Sequence, residues 1–556
     1  MNLFLQKHHR LIFYSIWLLL ALAQSASTEL IADEAYYWVY SRFPAWGYFD
    51  HPPMIAILIK WGYALFQNEL GVRLLCALLS VFTISITESL TDRKNPFLFY
   101  TIALSVGTLQ IAGFLAVPDT PLLFFTALFF YSYRYFLKNI NWYGALLLGV
   151  SIVLLFYTKY HGLLVVFFVL LSNFKILRHW QTWLAGVFVL VLFAPHLYWQ
   201  WENNWVSFRY HLFENNVSAY RFSFTSDYLL GQLLVAGPLA GLILLPAAFL
   251  YKTKLGFEKA LKFTLIGVYF IFLLSSFRGS VEPNWTFPVL IPLLVLSYQF
   301  LNAKPSWIKP FRVVALVSLL LIMAGRIYLV EDIGPGNSIK YRFQKNKEWA
   351  IAIAEKTKNS PVVFFNSYQR TSLFWFYSGQ PSHSLNDWKE RRSNYDFWPS
   401  ENRILGQPVF IADIYNISRY PDSVKTKKGW VGIGIDSVFA VLGKIKIMPG
   451  QKDIETVGKK NFSLHCSSII PNQYLLFLNQ YPALKTELLA GVFKEKELIK
   501  EINTGITAQQ LTKMGDFEVL LNLENIPSGK YKVRFGIRTN NYPPTHNSDN
   551  INLLIR

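Results

Sequence analysis

The sequence predicts a polytopic α-helical membrane protein with a soluble α/β plus β-sandwich region at its C-terminal end. Three observations predict it. Of 556 residues, 53% are hydrophobic and only 16% charged, whereas soluble domains carry about 25% charged residues. Mean hydropathy is +0.27 across the whole chain, which a large soluble core does not require. Apolar runs of bilayer-spanning length recur as far as Val330 and then stop.

The runs come in order. Spans are expected near residues 11–27, 70–88, 96–113, 119–137, 142–158, 160–174, 183–199, 227–250, 260–277, 285–301 and 311–330, about eleven in all. The stretch "MIAILIKWGYALF" (54–66) reads instead as an amphipathic helix lying on the membrane. The first run also has the basic start, apolar centre and small-residue end of a signal peptide. Its cleavage would leave Asp33 on the same side.

Charge sorts with the loops. One alternate set holds Lys7, Arg10, Arg93, Lys94, Arg134, Lys138, Lys175, Arg178, Lys252, Lys254, Lys259, Lys262, Lys304, Lys309 and Arg312. The positive-inside rule assigns these to the cytoplasm. The other set holds Asp33, Glu34, Asp50, His51, Asp119, Lys159, His161, Glu202, Glu214, Arg221, Arg278 and Glu282. An odd number of spans then puts the tail on the outer side too. The net charge of +19 would suggest nucleic acid for a soluble protein. Here it reads as cytoplasmic-side Lys/Arg with attraction to anionic lipid or phosphate, and no nucleic-acid partner is expected. Cys76 lies in an apolar run and Cys466 in the tail, which suggests neither a disulfide nor a metal site.

Three regions follow: a membrane region over 1–330, an α/β region over 331–445 and a β-rich domain over 446–556. "NKEWAIAIAEKTKNS" (346–360) has helical spacing, and "PVVFFNS" and "PVFIADI" (361–367, 408–414) read as short strands. Further on, "QYLLFLNQY", "FEVLLNLENIPSGKYKVRFGI" and "INLLIR" suggest antiparallel strands with a Pro-Ser-Gly turn, a small β-sandwich. The tail carries no catalytic motif and serves as an acceptor-binding or a capping region.

The polar breaks carry the chemistry. "IADEAYYW" (31–38) and "GYFDHPP" (47–53) put Asp33, Glu34, Asp50 and His51 among interfacial aromatics. Ionisable groups at a membrane boundary commonly mark a site. The plainer reading is a solvated acid pair at a helix N-terminus. "VPDTPLLFF" (117–125) puts Asp119 at the outer mouth of a span, where it would also serve as an N-cap. "YTKYHG" (157–162) supplies Lys159 and His161, and "FRGSVEPNW" (277–285) supplies Arg278, Glu282, Asn284 and Trp285. Those cations suit a phosphate, or they snorkel from helix ends.

This ordered set resembles the bacterial protein O-mannosyltransferase-like branch of the GT-C glycosyltransferases. That branch includes the aminoarabinose and galacturonic acid transferases that modify lipid A. "PHLYWQWENNWVSFRYH" (195–211) and "NSYQRTSLFWFYSGQP" (366–381) are similar to the same group. The resemblance implies a GT-C fold and a polyprenyl-phosphate-linked sugar as donor, used at the outer face of the inner membrane. Asp33 matches the family's catalytic aspartate. It would take the proton from the attacking acceptor hydroxyl, with inversion at the anomeric carbon. Glu34 would orient Asp33 or bind acceptor. Lys159, Arg278 and His51 would hold the donor phosphate. His51 stands where the aminoarabinose transferases have lysine. A neutral imidazole holds phosphate less firmly, which shifts weight to Lys159 and Arg278. Asp50, Asp119, His161, Glu282, Asn284 and Trp285 would line the substrate site. A divalent ion at Asp50, Asp119 or Glu34 is compatible but not required, and no nucleotide or zinc motif occurs.

Protein, lipid A and other surface glycans all remain open as acceptor. The competing readings are a transporter or flippase of a lipid-linked sugar and a non-catalytic assembly protein. Transporters usually place ionisable groups near mid-membrane, whereas these cluster at span ends.

Overall fold

The computed structural model describes residues 3–214, 218–331, 333, 338–457 and 461–556. It divides into two compact units, Met1–Gln344 and Lys345–Arg556.

The first unit is helical. Its helices are α1 (Leu3–Ser27), α2 (Ala32–Arg42), α3 (Met54–Leu65), α4 (Glu69–Leu90), α5 (Pro96–Ser105), α6 (Gly107–Ala112), α7 (Asp119–Lys138), α8 (Trp142–Phe156), α9 (Gly162–Ser172), α10 (Trp180–Glu202), α11 (Val206–Arg209), α12 (Phe222–Val235), α13 (Gly241–Leu250), α14 (Gly256–Ser275), α15 (Leu290–Ala303), α16 (Ile308–Val330) and α17 (Ser338–Phe343). Local chemistry starts several of them. The side chains of Asn68, Asn95 and Asn141 accept from Gly71, Leu98 and Gly144 N–H, satisfying donors that α4, α5 and α8 leave open. Among the described residues, five segments are long and apolar enough to cross a membrane: Lys7–Ser27, Glu69–Leu90, Trp180–Glu202, Pro283–Ala303 and Pro305–Val330. On α10, exposed Trp180 and Trp183 stand at one end and exposed Tyr198 and Trp201 at the other. Trp180 and Trp201 are thus about 31 Å apart along the helix axis, a bilayer core with its aromatic belts.

Two expected spans are interrupted. The run 96–113 is α5 and α6, broken at extended Val106. The run 227–250 is α12 and α13, broken around Gly237, whose φ is +127°. The breaks dock on each other. A Cβ on Gly237 would lie 2.7 Å from the Ser105 carbonyl oxygen, and Thr108 Oγ1 donates to the Val235 carbonyl at 2.6 Å. Carbonyls freed inside an apolar bundle need such partners. Hydropathy averages across a break of this kind and does not register it. The stretch at 54–66 is helical. It buries Met54, Ile55 and Ile59 and exposes Ile57, Trp61, Leu65 and Phe66, an apolar outward face suited to lipid.

Polar groups sort to the two ends of this unit. At one end Arg10 pairs with Glu88 at 3.1 Å, and Tyr298 Oη donates to Asp92 at 3.0 Å. At the other end, where α1 finishes and α4 and α7 begin, lie the acids of the expected site. Between them α15 runs through the core, with Leu290–Leu296 buried.

The second unit holds α18 (Asn346–Lys356), α19 (Tyr368–Ser378) and a five-stranded sheet in the order β2-β1-β3-β5-β4. Its strands are β1 (Val362–Phe365), β2 (Ser382–Leu385), β3 (Val409–Asp413), β4 (Asp422–Thr426) and β5 (Gly429–Asp436). Strand β1 runs parallel to β2 and β3, while β5 pairs antiparallel with β3 and β4. Next come β6 (Lys446–Pro449), β7 (Asp453–Thr456), β8 (Asn461–Ile469), α20 (Asn472–Gln480), β9 (Thr486–Lys494), β10 (Glu497–Asn503), β11 (Asp516–Asn522), β12 (Gly529–Thr539) and β13 (Ile551–Ile555). They form sheets β10-β9-β12-β13-β7 and β11-β8-β6. Leu488, Val492, Val533 and Phe535 from one sheet share a core with Leu464, Val519 and Leu521 from the other. Two expectations need correction. "QYLLFLNQY" is helix α20, burying Tyr474, Phe477 and Leu478 at i, i+3 and i+4. Pro527–Gly529 closes no hairpin. Strand β11 pairs with β8 and β12 with β9, so these residues cross between sheets.

Candidate functional site

Helix α2 begins at Ala32, so Asp33 and Glu34 both fall in its first turn. There the dipole favours negative charge. Asp33 is half-buried. Glu34 is fully buried and accepts from the Ile31 N–H at 3.1 Å, closing the start of its own helix. It is also gripped by Arg73 of α4. Arg73 Nε donates to Oε1 at 2.7 Å and Nη2 to Oε2 at 2.6 Å. A fourth donor, the Ala116 N–H, reaches Oε1 at 2.8 Å. Both Glu34 oxygens are thus committed to donors from Ile31, Arg73 and Ala116. Removing one partner of such a pair typically costs about 3–5 kcal/mol.

Asp119 opens α7, three residues after Ala116. Its side chain makes no cap hydrogen bond to its own helix. Instead Lys159 Nζ donates to Oδ1 at 2.7 Å and Asn284 Nδ2 to Oδ2 at 2.9 Å. Lys159 and Asp119 are 5% and 4% exposed, so the pair is buried and barely screened. Three loops far apart in sequence, 113–118, 157–161 and 277–285, meet here. Trp285 and Phe272 flank the His161 ring at centroid distances of 6.0 and 5.3 Å.

The 43–53 loop is tied into the same end. Met54 N–H donates to the Tyr157 carbonyl at 3.1 Å. His196 Nδ1 meets the Trp46 carbonyl at 2.7 Å, and Ser207 Oγ donates to the Tyr48 carbonyl at 2.8 Å. Gly47 is required by close approach, since a Cβ there would sit 2.4 Å from Trp199. Asp50 is buried and accepts from Tyr40 Oη at 2.5 Å, while its backbone carbonyl meets His211 Nε2 at 2.8 Å. The His51 ring lies 5.6 Å from Tyr37 and 6.3 Å from His211.

The site residues named from sequence thus separate into groups. Asp119, Lys159 and Asn284 are in direct contact, and His161 with Trp285 adjoins them. Asp50 and His51 belong to the aromatic neighbourhood of Tyr37, Tyr40 and His211. Arg278 and Glu282 are exposed on their turn. The Lys159 ammonium is paired with the Asp119 carboxylate. The metal option does not fit. Among the described residues no three His, Cys, Asp or Glu converge. The oxygens of Asp119 and Glu34 face cations that a metal would have to displace. Sequence reasoning missed Arg73, Tyr40 and His211. The signal for Arg73 was present: a lone arginine inside the apolar run "ELGVRLLCALLS".

A many-helix apolar unit with acids gathered on loops at one end, followed by a sheet-rich unit, defines a polytopic α-helical membrane protein. Residues 50–199 match the family model described as dolichyl-phosphate-mannose-protein mannosyltransferase. The fold is similar to the crystal structure of ArnT from Cupriavidus metallidurans in the apo state, with TM-score 0.57 and 15% identity, over 76% of this chain and 97% of that one. The same protein bound to undecaprenyl phosphate gives TM-score 0.56 and 17% identity over the same shares. A curated relative from Aquifex aeolicus (strain VF5), described as an uncharacterized protein, is 27% identical over 271 residues. That match takes in 46% of this chain and 54% of the relative, so the chain spans about half the length of the curated relative it matches. In fold the chain is similar to ArnT, and over residues 50–199 its sequence matches a mannosyltransferase family model.

Proposed function

We propose that this protein is an inverting glycosyltransferase that moves a sugar from a polyprenyl-phosphate donor to an acceptor hydroxyl. The carrying observation is the convergence at one end of the helical unit of Asp33, on its Glu34–Arg73 mount, and the Asp119–Lys159–Asn284 cluster. The family model over 50–199 and the ArnT fold, known with undecaprenyl phosphate bound, support the donor class.

In this reading the acceptor oxygen attacks the anomeric carbon and Asp33 takes its proton. The bond from that carbon to the phosphate oxygen breaks, and its electron pair leaves with the lipid phosphate. General-base catalysis contributes about 10²–10⁴-fold. Charge developing on the phosphate would be offset by Lys159, Arg278 and the imidazoles near them, in a site with little water. Asp119 would keep Lys159 ordered, and Asp50, His51, His161, Glu282, Asn284 and Trp285 would shape the sugar and acceptor pockets. The loops rich in Lys and Arg belong to the opposite end of the unit. The positive-inside rule therefore supports an active site on the outer face of the inner membrane, with protein, lipid A or another surface glycan as acceptor.

The test compares membranes from a strain lacking the protein with membranes complemented by wild type or Asp33→Asn. Intact masses of lipid A, surface polysaccharide and glycoprotein are read. One sugar missing in both the null and the variant, with lipid-linked sugar accumulating, is the expected result and identifies the acceptor. Full rescue by Asp33→Asn would remove the catalytic assignment and favour a flippase.

A further inference from the structure

Arg73 lies in a membrane-spanning helix with no exposed surface, and every side of its guanidinium is used. Beyond the two bonds to Glu34, Nη1 donates to the Ser25 carbonyl at 3.0 Å, the Thr28 carbonyl at 2.7 Å and Thr28 Oγ1 at 2.9 Å. Nη2 donates to the Glu29 carbonyl at 2.9 Å. One side chain therefore ties the end of α1 to the first turn of α2. Through Glu34 it also reaches the Ala116 N–H, and so the loop that delivers Asp119.

That loop is held from a second side. The Phe114 ring is fully buried between two guanidiniums, with Arg73 Cζ 6.0 Å and Arg326 Cζ 5.6 Å from its centroid. Arg326 comes from α16 and donates to the Leu20 carbonyl at 2.6 Å and to Gln110 Oε1 at 3.3 Å. Cation–π contacts strengthen when desolvated. Helices α1, α4 and α16 thus all bear on residues 113–118.

We infer that Arg73 is a positioning residue: through Glu34 and the Ala116 amide it sets the spacing between Asp33 and Asp119. The inference rests on the transferase reading of that site. The physical reason is a difference in what polar and apolar contacts supply. A buried ion pair can often be replaced by apolar residues of similar volume with no loss of stability. Apolar residues cannot aim donors at the Ser25, Thr28 and Glu29 carbonyls and at a carboxylate together. Packing alone therefore does not call for Arg73, whereas a fixed distance between two carboxylates does. A displacement of about 1 Å at a reacting group can cost about 10²-fold in rate.

The experiment uses the full chain in two variants, Arg73→Lys and the double variant Arg73→Met/Glu34→Leu, with Asp33→Asn alongside. Three quantities are read: the initial rate of sugar-adduct formation in the complemented null strain per amount of membrane protein, the melting temperature of purified protein, and binding of undecaprenyl phosphate by native mass spectrometry. The inference expects undecaprenyl phosphate still bound by both variants, the double variant melting below wild type because the Ser25, Thr28 and Glu29 carbonyls and the Ala116 N–H lose partners but still folded at the assay temperature, and adduct formation slowed at least tenfold in each. A wild-type rate in the double variant would overturn it, since no directed hydrogen bond would then be needed. If the double variant is not recovered from membranes, Arg73→Lys decides, because it keeps charge and loses the fork; a rate within twofold of wild type refutes positioning. Asp33→Asn separates the two levels. If it is inactive while both Arg73 variants run at full rate, the positioning role fails and the transferase reading stands. If Asp33→Asn runs at full rate, the transferase reading fails first.

Discussion

Buried carboxylates occur in both units, and the two units treat them in opposite ways. In the helical unit Glu34 meets a bidentate arginine and two backbone amides, and Asp119 meets a lysine and an asparagine amide. In the second unit Glu401 is 3% exposed and Oε1 has no hydrogen-bond partner among the described residues. Its other oxygen lies 3.8 Å from His383 Nε2. Nearby Lys444 spends its ammonium on the Asp396 and Trp398 carbonyls. Burial pushes the Glu401 carboxyl up to about 7 and holds the His383 imidazole down to about 3. Both are neutral in the folded protein near neutral pH or just below. The lesson is that burial alone does not make a charge site. A buried carboxylate is held in one direction where cations and amides are aimed at it, and burial favours its neutral form where they are not.

Four experiments break or sharpen that contrast. The largest effect is expected at Asp33. Asp33→Asn should slow adduct formation by about 10²–10⁴-fold with the protein still in the membrane, measured by intact mass of the acceptor. Lys159→Met comes next. It strands the buried Asp119 carboxylate and should destabilise the helical unit by about 3–5 kcal/mol, read as a drop in melting temperature of purified protein. The unpaired carboxylate behaves in the reverse sense. The folded chain retains a proton on Glu401 that the unfolded chain releases above about 4.5, so this group's contribution falls as pH rises from about 4.5 to about 7. Glu401→Gln, neutral throughout, should therefore gain on wild type by up to roughly 3 kcal/mol at pH 8 and by almost nothing at pH 4.5. His383 opposes it in the acid range, costing stability as pH falls below 6.5. Equal melting shifts at both pH values would show that Glu401 is ionised after all. The smallest effect is expected from Tyr40→Phe, which removes the hydroxyl bonded to Asp50 and should cost about 2 kcal/mol. A neutral outcome would mean that water replaces the hydroxyl.

The parts legible in sequence are those with local causes. Long apolar runs read correctly as helices because length and hydropathy decide them. The polar breaks lie together at one end of the helical unit, as the sorting of acids and basic residues by loop predicts. Local reasoning failed where the partner was distant. Arg73 lies 39 residues from Glu34 in number, and nothing in either neighbourhood names the other. Asp119 looked like a helix cap, which its position allows, but Lys159 and Asn284 claim its oxygens. "QYLLFLNQY" fits a strand by composition, and only packing of Tyr474, Phe477 and Leu478 on one face made it helical.

By itself the sequence determined that this chain is a membrane protein built on apolar helices, and which loops carry acids, because transfer of apolar groups from water depends on composition and length. Only the tertiary structure decided which acid meets which cation, and where helices break and dock. Hydrogen bonds and ion pairs act over a few ångströms, and only folding brings positions 34, 73 and 116, or 119, 159 and 284, within that reach.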